Sequence, residues 1–175
     1  MKRLLHAGCA KSPLPPFFGE GQYAEVRLDI DPGMEPDIVA SITDLGDIGA
    51  FDVVYSSHCV EHLYPADVRI ALGEFFRVTE SDGSCVVIVP DLQGLRVSDD
   101  PLFESPVGWL SALDLIYGCR FDAHRSGYMA HHSGFTASLL ADAMREAGFP
   151  KVTTRRLPDY NLMAVGQKDT QCSPI

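Results

Sequence analysis

Four short apolar runs near the N-terminus constrain the fold of this chain more than any other feature. Leu4-Leu5-His6-Ala7 breaks on Gly8, and Val26-Arg27-Leu28 ends on Asp29. Asp37-Ile38-Val39-Ala40-Ser41 follows, and Phe51-Asp52 opens the fourth. Runs this short, bounded by glycine and acid, read as strands rather than helices. A strand with a glycine turn, then a strand with a terminal carboxylate, is how an open parallel sheet holds an adenosine-type ligand. The glycine lets backbone approach the ligand, and the acid accepts hydrogen bonds from both ribose hydroxyls. The order implies a nucleoside-bearing cofactor at one sheet edge.

The remainder alternates in the same way. Strands are expected at 3–8, 25–30, 37–41, 51–57, 84–90, 151–156 and 161–167. Residues 66–79 place Val68, Leu72, Phe75 and Phe76 on one helical face, and Glu80-Ser81-Asp82-Gly83 reads as the turn that follows. Residues 136–147 align Leu139, Leu140, Ala143, Met144 and Ala147, with Thr136 to cap and Gly148 to stop the helix. A weaker pattern at 106–117 puts Val107, Leu110, Leu113 and Ile116 in phase. Strands alternating with helices argue for an α/β fold with a parallel sheet. No repeat or linker divides the chain, so residues 1–168 are expected to form one domain and 169–175 a disordered tail.

The first crossover is unusual. Only 16 residues separate Gly8 from Glu25, and Pro13, Pro15 and Pro16 fall among them. Proline costs about 3 kcal/mol inside a helix. The crossover helix should be short or absent, with one helical turn at most around Gly19 to Tyr23.

Composition narrows the partners. A net charge of −10, from 24 acids against 14 bases, disfavours nucleic acid. No apolar run is long enough to cross a membrane. The five cysteines are spread without a C-x-x-C, which favours neither a disulfide framework nor zinc and suits a reducing cytoplasm. Gly8-Cys9-Ala10 carries one glycine of a dinucleotide fingerprint and lacks the helix that would meet a pyrophosphate. A cofactor without phosphates, needing only backbone contact, suits this turn better than NAD. Asp29 is the ribose candidate, with Asp31 a competing choice and Ile30 placed against the adenine.

Phe51-Asp52-Val53-Val54-Tyr55-Ser56-Ser57-His58-Cys59-Val60-Glu61-His62-Leu63, with Pro90-Asp91-Leu92 further on, resembles the fourth motif region of class I S-adenosylmethionine-dependent methyltransferases of the small, type 11-like kind. Leu4–Ala10, Val26–Pro32, Asp37–Leu45, Arg77–Pro90 and His132–Phe149 are similar to that family's other segments, in the same order. The resemblance implies a Rossmann-like sheet of seven strands, mostly parallel with an antiparallel last strand, and S-adenosylmethionine as cofactor. It implies that Gly8 and Cys9 approach the methionine part, Asp29 holds the ribose, and Ile30, Ser41 and Ile42 meet the adenine. Ser57 and His58 would line the pocket near the sulfonium. Ala10 stands where relatives commonly carry glycine, and Ser41 where many carry an acid.

Methyl transfer requires in-line placement more than acid–base chemistry. Where a base is needed, Asp91 and His132 are the leading candidates, with His58 and His131 behind them. His58, Glu61 and His62 match no recognised ligand spacing, so no metal is expected. The acceptor should lie against residues 91–132, where Phe103, Trp109, Tyr117, Phe121 and Tyr128 gather. A small-molecule acceptor is expected, with the site open or completed by a protein partner or a second copy. Two readings follow: a small cytoplasmic methyltransferase, and a degenerate, non-catalytic binding module that keeps the fold.

Overall fold

In a computed structural model, which describes residues 1–119 and 128–168, nine strands are formed. They are β1 (Lys2–Ala7), β2 (Tyr23–Asp29), β3 (Ile38–Val39), β4 (Phe51–Ser57), β5 (Thr79–Pro90), β6 (Pro101–Ser105), β7 (Gly108–Ser111), β8 (Lys151–Leu157) and β9 (Asn161–Gln167). Seven join in one sheet of order β3-β2-β1-β4-β5-β9-β8, and β6 and β7 pair apart from it. All neighbours in the large sheet run parallel except β9, the last of the described strands, which is antiparallel to both β5 and β8. The helices are α1 (Pro65–Val78), α2 (Ala112–Tyr117) and α3 (Ala137–Glu146). The fold is the Rossmann-like one expected.

The central strands β1, β4 and the second half of β5 are buried on both faces, which is why they read as nearly continuous apolar runs. On one face Leu5, Ala7, Val54 and Val87 meet Leu72 and Phe75 of α1 and Leu140 and Met144 of α3. On the other, Leu4, Val53, Tyr55, Val86 and Ile88 pack with Phe18. That second face is covered by the proline-rich first crossover. Pro16 starts a single 3-10 turn, Pro16–Phe18, whose Phe18 ring meets Tyr55 edge-on at 5.0 Å. The helical turn lies ahead of the expected Gly19–Tyr23 position, because Pro15 and Pro16 preset the backbone for it.

Helix α1 begins with Pro65 at its first turn, and α3 is capped by Thr136, whose hydroxyl accepts from Leu139 N–H. Two expectations are corrected. The helix expected at 106–117 is a hairpin followed by a short helix. Gly108 takes φ +115°, Ser105 bonds across the Pro106-Val107 turn, and Ser111 and Asp114 form a capping box that starts α2 afresh. The turn expected at 80–83 lies within β5, which leaves α1 directly. Between the Phe51–Thr79 and Val53–Ser84 pairs the register shifts, so those residues form a bulge.

Candidate active site

The C-terminal ends of β1 and β2 are level, Ala7 pairing with Leu28. Both Gly8 and Cys9 N–H donate to Leu28 O, at 2.8 and 3.1 Å, which turns the chain sharply over the sheet edge. Gly8 has φ +68°, and a Cβ there would run into the Cys59 side chain. Ala10 also takes a left-handed conformation, φ +43°, although it carries a Cβ. Its N–H donates to Asp29 Oδ2 at 2.8 Å, and Asp31 N–H donates to Asp29 Oδ1 at 3.0 Å. Asp29 is thereby fixed between the two loops. A carboxylate has about four lone-pair sites, so two backbone bonds leave room for two hydroxyl donors.

A pocket of about 280 Å³ opens at this edge. Gly8, Ala10, Asp29 and Ile30 form one side, with Met34, Ser41 and Ile42 beside them. Ile30 is 46% exposed, an apolar surface suited to a flat ring, whereas Ile42 is buried at the wall. Ser41 Oγ is 2.7 Å from Thr43 Oγ1 and accepts from Thr43 N–H, so its hydroxyl already serves a local turn. Asp31 and Ala40, with His58, Cys59, His62, Leu63, Tyr128 and Met129, complete the lining. A hollow of about 540 Å³ lies elsewhere, between the first crossover and Tyr23 at the opposite end of β2. It is bordered by Pro15, Pro16 and Glu20 and does not share the Gly8–Asp29 geometry.

His58 follows β4 with φ +50°. Its Nε2 lies 2.8 Å from Asn161 Oδ1, and its Nδ1 is 3.2 Å from Glu61 Oε1. Asn161 Nδ2 donates to Pro158 O, which turns its oxygen toward His58, so Nε2 carries the proton. Burial lowers the His58 pKa, but Glu61 and Asn161 more than offset it and the net shift is upward. Burial would raise the Glu61 pKa, yet His58, reinforced by His62 and His131, holds it below the usual carboxylate value. The Cys59 thiol is pushed up to about 12, mainly by burial, and is a poor nucleophile at neutral pH.

Several expected residues stand away from the pocket. Cys9 is buried, and neither it nor Ser57 is part of the lining. Asp91 is 6% exposed, pairs with Arg156 Nε at 2.7 Å and accepts from Gln93 N–H at 2.9 Å. His132 stacks on Tyr64, ring centroids 4.3 Å apart, and its N–H donates to Glu61 O. Neither Asp91 nor His132 lines the pocket. His62, Met34 and Met129 do, and sequence reading gave them no such part. Phe121 and the 169–175 segment lie outside the described residues.

Residues 5–87 match the family model described as a methyltransferase domain. No curated protein matches the sequence. Among solved structures, the Burkholderia thailandensis 1,6-didemethyltoxoflavin-N1-methyltransferase, with 1,6-didemethyltoxoflavin and S-adenosylhomocysteine bound, is similar at 17% identity and a TM-score of 0.63. The match covers 96% of this chain and 71% of that one. An O-methyltransferase family protein from the same organism is similar at 14% identity and a TM-score of 0.64, covering 97% of this chain and 52% of its own. A chain from the Haloferax volcanii complex of a methyltransferase activator with a methyltransferase matches at 14% identity and a TM-score of 0.64, over 96% of this chain and 83% of that chain. Against the second of these the present chain spans about half the length.

Proposed function

We propose that this chain, whose sheet has the methyltransferase-like topology and whose residues 5–87 match the methyltransferase-domain model, is a class I S-adenosylmethionine-dependent enzyme that transfers a methyl group to a small-molecule acceptor. The observation that carries this reading is the junction of Gly8 and Asp29 at the mouth of one pocket. The residues fit the cofactor: a turn whose Cβ-free Gly8 admits backbone contact, a carboxylate with open lone pairs, and Ile30 as an apolar shelf. The cofactor supplies an already activated methyl group. The protein's task is then to bind, orient and exclude water. Asp29 holds the ribose, Ile30 and Ile42 flank the adenine, and the Gly8 turn sets the depth of the methionine end. His58, tethered to Asn161, borders the sulfonium side, with Leu63 and Met129 excluding water near the acceptor.

Ala10, which stands where relatives commonly carry glycine, keeps the left-handed turn that a glycine would take there, so this departure does not by itself favour the non-catalytic module. Calorimetry with S-adenosylhomocysteine tests the assignment. Asp29→Ala should weaken binding by about 1.5–3 kcal/mol, the scale of a hydrogen bond to a charged group. Unchanged affinity in a folded variant would reject the ribose role, and no binding by the parent chain would leave the non-catalytic module. A cytoplasmic setting belongs to the same reading, and the described cysteines, Cys9, Cys59, Cys85 and Cys119, are free. No helix among the described residues is long and apolar enough to cross a membrane. A second copy or a protein partner completing the acceptor side is part of the same reading, and the mass in solution tests the first of these.

A further inference from the structure

Glu61 is 1% exposed, and neither of its carboxylate oxygens has a hydrogen bond. His58 Nδ1 stands 3.2 Å from one of them without hydrogen-bond alignment. A buried carboxylate whose one ion-pair partner, His58, is poorly aligned keeps acceptor capacity that nothing fills. Two further imidazoles approach it. One ligand atom each from Glu61, His62 and His131 lie within 4.8 Å of one another. The two rings meet edge-on with centroids 4.8 Å apart.

Each ring is also oriented from behind. His62 Nδ1 is 3.1 Å from Ala130 O, and His131 Nδ1 is 3.0 Å from Leu115 O. A carbonyl can only accept, so both Nδ1 atoms carry the proton in the neutral rings and both Nε2 atoms keep a free lone pair. A backbone carbonyl fixing the far nitrogen is the arrangement that commonly holds a metal-ligating histidine. The backbone builds the cluster deliberately: His132 and Ser133 N–H both donate to Glu61 O, and Ser133 Oγ donates to Leu63 O at 2.6 Å.

We propose that Glu61, His62 and His131 form a binding site for a divalent transition-metal ion of the Zn2+ type, sharing His62 with the wall of the pocket. Two imidazole nitrogens and one carboxylate suit such ions and leave further positions for water or an acceptor oxygen. Donors about 2.1 Å from a tetrahedral ion stand roughly 3.4 Å apart, so small side-chain rotations close the cluster. Sequence reading grouped Glu61 and His62 with His58 and set a metal aside. The third ligand comes instead from 70 positions further along the chain, and His58 is held by Asn161.

The experiment is a titration of the full, chelator-treated chain with Zn2+ by calorimetry and with Co2+ by visible absorption, without S-adenosylmethionine. Saturable binding of about one ion per chain is expected, with His62→Ala and His131→Ala each weakening it at least about tenfold. His132→Ala, one residue away, should bind as the parent does. Loss of binding in His132→Ala alone, equal binding in the His62 and His131 variants, a thiolate-to-Co2+ band, or no saturable binding by the folded parent would each overturn the site. Since no cofactor takes part, failure here leaves the methyltransferase reading standing, and failure of that reading leaves this one.

Discussion

Gly8 and Ala10 share a left-handed backbone two residues apart, and only one of them lacks a Cβ. The difference is what each Cβ would meet. At Gly8 it would strike Cys59, while Ala10 is exposed. Gly8→Ala therefore combines backbone strain of about 1–2 kcal/mol with a steric clash at the pocket floor. It should both lower stability and weaken S-adenosylhomocysteine binding. Adding Cys59→Ala should recover part of the loss, and calorimetry on the single and double variants reads this directly. Ala10→Gly should act the other way. It relieves about 1–2 kcal/mol of strain against about 0.5–1 kcal/mol of added chain entropy, so urea unfolding should show a small gain in stability. An unaltered or lower midpoint would mean that the Ala10 methyl has a packing partner worth as much as its strain.

The elements show where periodicity is a sound guide. β1, β4 and β9 were legible to within a residue because both of their faces are buried or one alternates cleanly. The pattern at 106–117 misled because every third or fourth apolar residue also fits a short hairpin, and Val107 and Trp109 turn out to be exposed. Pro106 and Gly108 were the turn signals that should have outweighed the helical phase. Ser111→Ala, which removes the capping hydroxyl of α2, should cost about 1 kcal/mol and speed amide exchange over Ala112–Tyr117. Of the pocket lining, Gly8, Asp29, Ile30 and His58 were legible because they sit at or just beyond strand ends. The approach of His131 to Glu61 could not, since it depends on two backbone bonds between segments far apart in sequence. Asp91 shared the strand-end logic, but Arg156 on β8 engages its carboxylate.

At the scale of the whole molecule, His6 ties stability to pH. It is 2% exposed within β1 and bonds Glu25 Oε1 at 2.8 Å. Burial lowers its pKa, and Glu25 offsets only part of that. Below about pH 6.5 the unfolded chain takes up a proton at this position that the folded chain resists. The unfolded state then binds more protons, so stability falls as pH drops, while above that value the contribution is flat. Urea midpoints should decline as the pH falls below about 6.5, less steeply in His6→Gln. Parallel declines in the two proteins would assign the acid sensitivity to other groups. The reversed strand has a different consequence. β9 begins at Asn161 beside His58 and finishes at Gln167 opposite Ser84, where Lys168 Nζ bonds Phe76 O and Thr79 O. A reporter domain joined behind that lysine would therefore hang from the rim facing away from the ligand, and a label there should follow the protein without obstructing its mouth.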